Sequence, residues 1–274
     1  MRSPVLRLLL ALFIICAGRA DPRAQPPYRE IFYKSGSLRI QAYLYKPAGD
    51  GPFPTIVYNH GSRDGQDRVE QPVPFIGRLL TAAGYAVLVP ERRGYGKSDG
   101  PILREEIGFD LDRKLLTRLR EETSDVLAAI EYLKVEPSVD PSRVGIMGWS
   151  FGGITSVFAA RNSRALFAVV DQAGGALTWD RSRPLQSALR DAAREIQVPI
   201  LCMDAENDAT TAAVKAVCDA AHARSVSVEM KIYPPFSPLQ NTQHVAPGHL
   251  IFTGQGVSTW GTDVVAFFDA HHSR

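Results

Sequence analysis

The segment RVGIMGWSFGGITSVFAARN, residues 143–162, leaves the chain few ways to fold. Its first part is apolar and β-rich, and its second part has helical spacing. Between them stand only Gly148, Trp149, Ser150, Phe151, Gly152 and Gly153. A strand that becomes a helix over so few residues must turn sharply, and the glycines leave room for the backbones that crowd such a turn. The Gly-x-Ser-x-Gly spacing points one hydroxyl out of the sheet, at a helix N-terminus whose amides favour negative charge. Ser150 therefore reads as a nucleophile. The competing reading, a glycine-rich packing turn, has to be weighed against what the rest of the chain supplies.

Around this segment, apolar runs alternate with helical ones. IFYKSGSLRIQAYLYKP reads as a hairpin about Ser35-Gly36, FPTIVYNHG as a strand, VPFIGRLLTAAG as a helix and YAVLVPERRG as a buried strand. Residues from about 105 to 134 read as one helix, ended by Pro137 and Pro141. LFAVVDQAG, VPILCMDAEND and SVEMKIYPP follow as strands, with helices over ATTAAVKAVCDAAHAR and VSTWGTDVVAFFDAHH. Continuous apolar strands between helices predict an α/β fold: a mostly parallel sheet with helices on both faces and an antiparallel N-terminal edge. The stretch 174–198 is the least sheet-like and carries four arginines, Arg181, Arg183, Arg190 and Arg194. It reads as a small cap over the carboxyl edge of the sheet, where open α/β sheets bind ligands.

The N-terminus reads differently. Arg2 and Arg7 precede the apolar run Leu8 to Ala17, and small residues follow at Gly18 and Ala20. This is the pattern of a secretory signal peptide over residues 1–20, cleaved after Ala20 or alternatively after Ala24. The run is short for a membrane span, so an uncleaved anchor is the lesser reading. Residues 21–274 are then a single domain, secreted or periplasmic, with no stable membrane anchor. Loss of Arg2, Arg7 and Arg19 from 31 basic residues leaves 28 against 29 acids. Such a balance argues against a nucleic-acid partner. Cys202 lies in a strand-like run and Cys218 in a helix-like one, about 10 Å apart by layer packing, so two free buried thiols are expected. Without a clustered Cys/His pattern, no metal site is expected.

A nucleophilic serine needs a base, and the base needs an orienting acid. Of six histidines, His60 precedes the serine, His222 falls in a polar helix and His271 and His272 stand at the C-terminus, which leaves His244 and His249. Order alone does not separate them; Gly248 permits the tight loop that favours His249. Asp204, Glu206 and Asp208 close one strand, and Asp208 stands at its junction with a helix. Asp208 is the favoured acid, although NDAT also suits a helix N-cap. Asp204 is the alternative. For the oxyanion, the expected donors are the backbone N–H groups of Phe151 and Ser62, the latter in the loop after Gly61. ERRGYGKSDG lacks the first glycine of a phosphate loop, since Glu91 stands there, and it reads as structural support anchored by Arg92 or Arg93.

NHGS, ERRGYGKSDG, DVLAAIEYLK, GWSFGG, PILCMDAENDAT and GHLIF followed by WGTDVVAFF together resemble the α/β-hydrolase superfamily, in its dienelactone hydrolase-like and prolyl oligopeptidase-like branches. The resemblance spans nearly the whole mature chain. It implies the order Ser150, Asp208, His249, an acid nine residues after Pro199, and a histidine after glycine before the final helix. It also implies no cofactor. Two departures stand out. Dienelactone hydrolases resemble GxCxGG at the turn, where this chain has Ser150. Relatives often carry His-Gly where this chain has Asp204-Ala205.

These readings converge on a serine hydrolase that takes a small-molecule ester through an acyl-enzyme. A peptidase or amidase with the same residues is the second reading. A non-catalytic binding protein on the same fold is the third, and it would be expected to lack a member of the triad.

Overall fold

The computed structural model of the protein describes residues 27–272, apart from 64, 109, 224 and 225. The signal-peptide reading of residues 1–20 lies outside that range. Eight strands form one sheet: β1 (Arg29–Ser35), β2 (Leu38–Tyr45), β3 (Phe53–Asn59), β4 (Ala86–Glu91), β5 (Val139–Trp149), β6 (Leu166–Gln172), β7 (Ile200–Ala205) and β8 (Val228–Tyr233). Their spatial order is β1-β2-β4-β3-β5-β6-β7-β8. The β1–β2 and β2–β4 pairs are antiparallel, and every pair from β4 to β8 is parallel. This is the α/β-hydrolase fold, with the antiparallel N-terminal edge that the hairpin around Gly36 predicts.

Among the described residues seven helices accompany the sheet: α1 (Pro74–Ala82), α2 (Leu103–Ile107), α3 (Leu111–Leu133), α4 (Phe151–Asn162), α5 (Arg183–Arg194), α6 (Ala212–His222) and α7 (Val257–His271). The central strands are apolar on both faces because each face has its own helical layer. In β4, Leu88 packs with the α3–α6 side, among Leu119, Val126 and Val157. Its neighbours Val87 and Val89 pack with the α1–α7 side, among Ile76, Leu80, Trp260 and Phe268. Alternation along one strand thus feeds two cores.

Two local readings change. The helix expected from about 105 to 134 is broken in two. Gly108 ends α2 at φ 53° and ψ −126°, and the Asp110 side chain accepts from Arg113 N–H to start α3. The stretch 174–198 forms a 3₁₀ turn at Trp179–Arg181 and then α5, which begins with Ser182 accepting from Leu185 N–H. Leu185, Leu189, Ala192 and Ala193 are buried on one side of α5, in the core shared with α4 and α6. The segment therefore lies mainly in a helical layer, and Leu177 is its contribution to the pocket above the sheet. Cys202 and Cys218 are both buried and free.

Buried charge anchors the loop after β4. Arg92 is fully buried; its Nε donates to Glu122 at 2.6 Å and its Nη2 to the carbonyl of His60 at 2.8 Å. Arg118, also buried, donates to the other oxygen of Glu122 at 2.8 Å and to the carbonyl of Arg93 at 2.6 Å. Arg93 pairs with Asp125 at 2.9 Å. The supporting role expected of ERRGYGKSDG thus falls to both arginines. Glu91 accepts from Arg63 and from Gln71 N–H. Burial pushes the Glu91 carboxyl up, and Arg63 opposes that shift.

Removing Arg92 strips the donor from one oxygen of Glu122 and from the carbonyl of His60, while Arg118 keeps the other oxygen; breaking a buried ion pair in this way costs about 3–5 kcal/mol. Arg92→Met is therefore expected to lower the free energy of unfolding by about that amount, measured by urea titration. A loss within 0.5 kcal/mol, the ordinary range of surface substitutions, would contradict this reading of the scaffold.

Candidate active site

Strand β5 ends at Trp149 and α4 begins at Phe151, so Ser150 alone makes the turn. It sits at φ 57° and ψ −120°, a left-handed region that side chains other than glycine rarely enter. Its neighbours explain why glycine flanks it. A Cβ on Gly148 would stand 2.2 Å from the carbonyl oxygen of Gly152, and one on Gly152 would stand 2.0 Å from that of Asn59. Both obstacles are backbone. A register bond from Ser150 N–H to Gln172 O at 2.8 Å ties the turn to β6.

The imidazole of His249 reaches this turn from a 3₁₀ segment, Pro247–Phe252, just before α7. Its Nε2 lies 2.9 Å from Ser150 Oγ, and its Nδ1 lies 2.7 Å from Asp208 Oδ2. A carboxylate accepts, so Nδ1 carries the proton and Nε2 is left to accept the serine O–H. The His249 and Asp208 side chains are almost wholly buried, at 1% and 0% exposure. The three side chains, from the ends of β5 and β7 and from the loop before α7, thus form one hydrogen-bonded relay.

Three contacts hold the relay's loops. Trp149 Nε1 donates to the carbonyl of His249 at 2.9 Å, across 100 positions of chain. Asn207 donates to Phe236 O and accepts from Phe236 N–H, both at 2.8 Å, which pins the acid-bearing turn. Gly248 is required for close approach: a Cβ there would stand 2.4 Å from Asp208 N. The sequence offers Gly248 as a loop-former; its tighter constraint is the backbone it touches. The tryptophan contact had no signal in the sequence, because an indole N–H can reach any carbonyl the fold brings near.

The other candidates fall as follows. His244, the alternative base, lines the pocket at φ 53° while His249 carries the contact to Ser150. His60 is buried beneath the site; burial, then Arg63 and Arg92, holds its imidazole well below the usual range. Its Nδ1 lies 2.6 Å from Gly61 O. Asp204, the alternative acid, is fully buried one turn before Asp208. Phe151 N–H lies in the first turn of α4, where no helical carbonyl reaches it. Gly61 backs directly onto Ser150, since a Cβ there would stand 3.2 Å from the serine Cβ, and Ser62 follows it in the pocket wall.

The pocket above Ser150 has a volume of about 680 Å³. Val73, Phe75, Trp149, Leu177 and Val245 give it apolar walls, and Gln66, Gln71, Thr242 and Thr253 give it neutral polar ones. Arg63, paired with Glu91, lines it as well; Arg181, Arg183, Arg190 and Arg194 do not, and Arg190 instead lies over the Trp179 ring at 4.8 Å. Among the described residues no group of three or more His, Cys, Asp or Glu is arranged to hold a metal ion.

Comparison with known proteins places the chain in a family. The model of the dienelactone hydrolase family matches residues 40–237. The quorum-quenching protein AidA of Acinetobacter baumannii is 34% identical over 143 residues, which cover 52% of this chain and 42% of that protein. The chain spans less than half the length of the first curated relatives it matches. Among solved structures, an acylaminoacyl peptidase of Pyrococcus horikoshii superposes with a TM-score of 0.66 at 19% identity, over 90% of this chain and 42% of that one. Est1E of Butyrivibrio proteoclasticus, solved with ferulic acid bound, superposes with a TM-score of 0.66 at 17% identity, over 89% of this chain and all of that one. At those identities the likeness is one of fold.

Gly152 offers a direct test of the turn. Helix propensity alone favours alanine over glycine by about 1 kcal/mol. The clash with Asn59 O opposes it and cannot relax without moving the loop that carries Gly61. Gly152→Ala is expected to lower the denaturation midpoint and, by shifting Ser150, to cut kcat/KM by about 10²-fold. A stabilised variant of unchanged activity would contradict the packing described.

Proposed function

The chain belongs to the dienelactone hydrolase family, and from that premise and the relay above we propose that it is a serine hydrolase of carboxylic esters. Ser150 is the nucleophile, His249 the general base and Asp208 the orienting acid. The observation that carries this reading is the 2.9 Å contact between His249 Nε2 and Ser150 Oγ. It is backed by the 2.7 Å contact behind it.

The steps follow from those two distances. Ser150 Oγ attacks the acyl carbonyl while its proton passes to His249 Nε2. Asp208 holds the Nδ1–H and offsets the charge of the imidazolium. The oxyanion is received by the N–H groups of Phe151 and Ser62, the first aided by the N-terminus of α4. Collapse of the tetrahedral species expels the alcohol, which takes the proton from His249. Water then attacks the acyl-enzyme and gives its proton to His249; the second tetrahedral species breaks the Ser150 Oγ–acyl bond, Oγ takes that proton back from His249, and the acid leaves. Each step uses groups of this chain alone.

The pocket's walls are apolar or neutral apart from histidines and Arg63, which Glu91 pairs, and they suit an uncharged ester with an apolar or aromatic part. The ferulic acid bound to Est1E, a fold neighbour, shares the aromatic part of that class and is an acid, as the released product would be. A peptidase or amidase reading draws on the fold likeness to acylaminoacyl peptidase. The two differ in leaving group, not in the relay. We also propose that residues 1–20 direct export, in keeping with their basic start and apolar run.

A panel of p-nitrophenyl esters and peptide anilides, measured on purified wild type and Ser150→Ala, tests the function. The ester arm is expected to dominate, and the alanine variant to lose at least about 10³-fold in kcat. Ester hydrolysis retained by Ser150→Ala would reject the mechanism, and a dominant anilide arm would favour the peptidase. For export, N-terminal sequencing of the protein recovered outside the cytoplasm is expected to begin at Asp21; recovery only in the cytoplasm with Met1 retained would reject it.

A further inference from the structure

Strand β7 brings a second carboxyl group to the relay. Asp204 has no exposed surface. Its Oδ1 accepts the N–H of Ala205 at 2.8 Å. Its Oδ2 is buried and meets no hydrogen-bond donor. As an ionised group Asp204 is therefore badly placed. As a neutral acid it has a hydrogen to give, and the turn that brings Asp208 N–H to the carbonyl of Ala205 at 3.1 Å holds Asp208 at the same strand end; the charge of Asp208 acts on Asp204 from there. Asp208 is the partner placed as the acceptor, because its two oxygens already accept from His249 Nδ1 at 2.7 Å and from Ala209 N–H at 2.5 Å.

We infer that Asp204 is a positioning residue: held neutral, it donates from Oδ2 to Asp208 and so fixes the carboxylate that orients His249. It acts through Asp208 and touches neither Ser150 nor the substrate pocket. This inference rests on the hydrolase reading of the same site and adds to it a fourth member, which the triad chemistry does not require.

The electrostatics agree with the geometry. Burial pushes the Asp204 carboxyl up, to about 9, with the charge and hydrogen bond of Asp208 adding to the shift and Ala205 N–H opposing it. On β6, Asp171 adds a further push. That acid is itself raised to about 7 by burial, although it accepts from Gly174 N–H. On the other side, the β8 residue opposite Asp204 is the uncharged Ile232. His249 lies beyond Asp208. The groups that act on Asp204 from its neighbours are thus acids, and each favours the neutral form. When Asp204 loses its proton, the relay loses a donor and gains a second negative charge beside Asp208. Activity should then fall as pH rises through about 9.

The experiment compares wild type, Asp204→Asn and Asp204→Leu. Ester kcat/KM and the rate of fluorophosphonate labelling at Ser150 are followed from pH 6 to 10.5. The asparagine amide keeps a donor toward Asp208 and has no proton to lose. It is expected to hold activity within about threefold at pH 7 and to lose the alkaline limb that wild type shows. Leucine removes the donor and is expected to lose about tenfold at pH 7, the size of one neutral hydrogen bond. A purely structural role would change the melting temperature of both variants and leave the alkaline limb where it is. A limb shared by wild type and the asparagine variant, or a leucine variant as active as wild type, overturns this inference alone. Should leucine fail to fold, the asparagine profile decides. A wild type that the probe does not label at Ser150 takes down the hydrolase reading and this one together.

Discussion

The turn at Ser150 is costly. A non-glycine residue at φ 57° and ψ −120° carries about 1–3 kcal/mol of strain. It persists because β5 and α4 are each fixed elsewhere. The strand is paired on both sides, with β3 and β6, and the helix packs against β5, β6 and its neighbours in the same layer. With both ends held, one residue has to absorb the change of direction. The strained residue is also the one whose hydroxyl leads out over the sheet, beside the first turn of a helix. Strain, exposure and the favourable field of the amides thus come from one geometric demand.

What stands around that turn is a set of buried polar contacts, each satisfied by a group distant in sequence. Arg92 holds the carbonyl of His60 and so fixes the loop of Gly61 and Ser62. Trp149 holds the carbonyl of His249. Asn207 and Phe236 close the loop that carries Asp208. Because the sheet is parallel here, the ends of β3, β5 and β7 lie along one edge, and loops leaving that edge converge. A relay whose members lie 41 and 99 positions apart needs only short reaches from such an edge.

Much of this was legible in the chain. The sheet and its antiparallel start were readable because strand runs are continuous and apolar, and the opening hairpin alternates around a glycine. Ser150 and Asp208 could be found from the turn residues around them. His249 was harder: order left His244 open, and Gly248 together with the family resemblance decided it. The break at Gly108 was masked by apolar residues that keep helical spacing on both sides. Helix α5 was masked by its arginines, which occupy an outward face while a narrow stripe of Leu185, Leu189 and Ala192 packs inward. Contacts such as Trp149 to His249 leave no trace in sequence, since they depend on where two distant backbones meet. One departure stands out: the turn carries serine where the resemblance to dienelactone hydrolases implies GxCxGG, and a serine depends more on its base because its hydroxyl is far less acidic than a thiol.

The central claim is that the acyl group of a substrate is carried on the Ser150 oxygen. Intact-mass and peptide-mapping spectrometry of the wild-type protein, acid-quenched during turnover of a slowly released ester, measures this directly. The account predicts one added acyl mass per chain, located on the peptide that contains Ser150, and decaying as product forms. Turnover with no acyl adduct at any quench time, or an adduct on a different side chain that decays at the turnover rate, would contradict it.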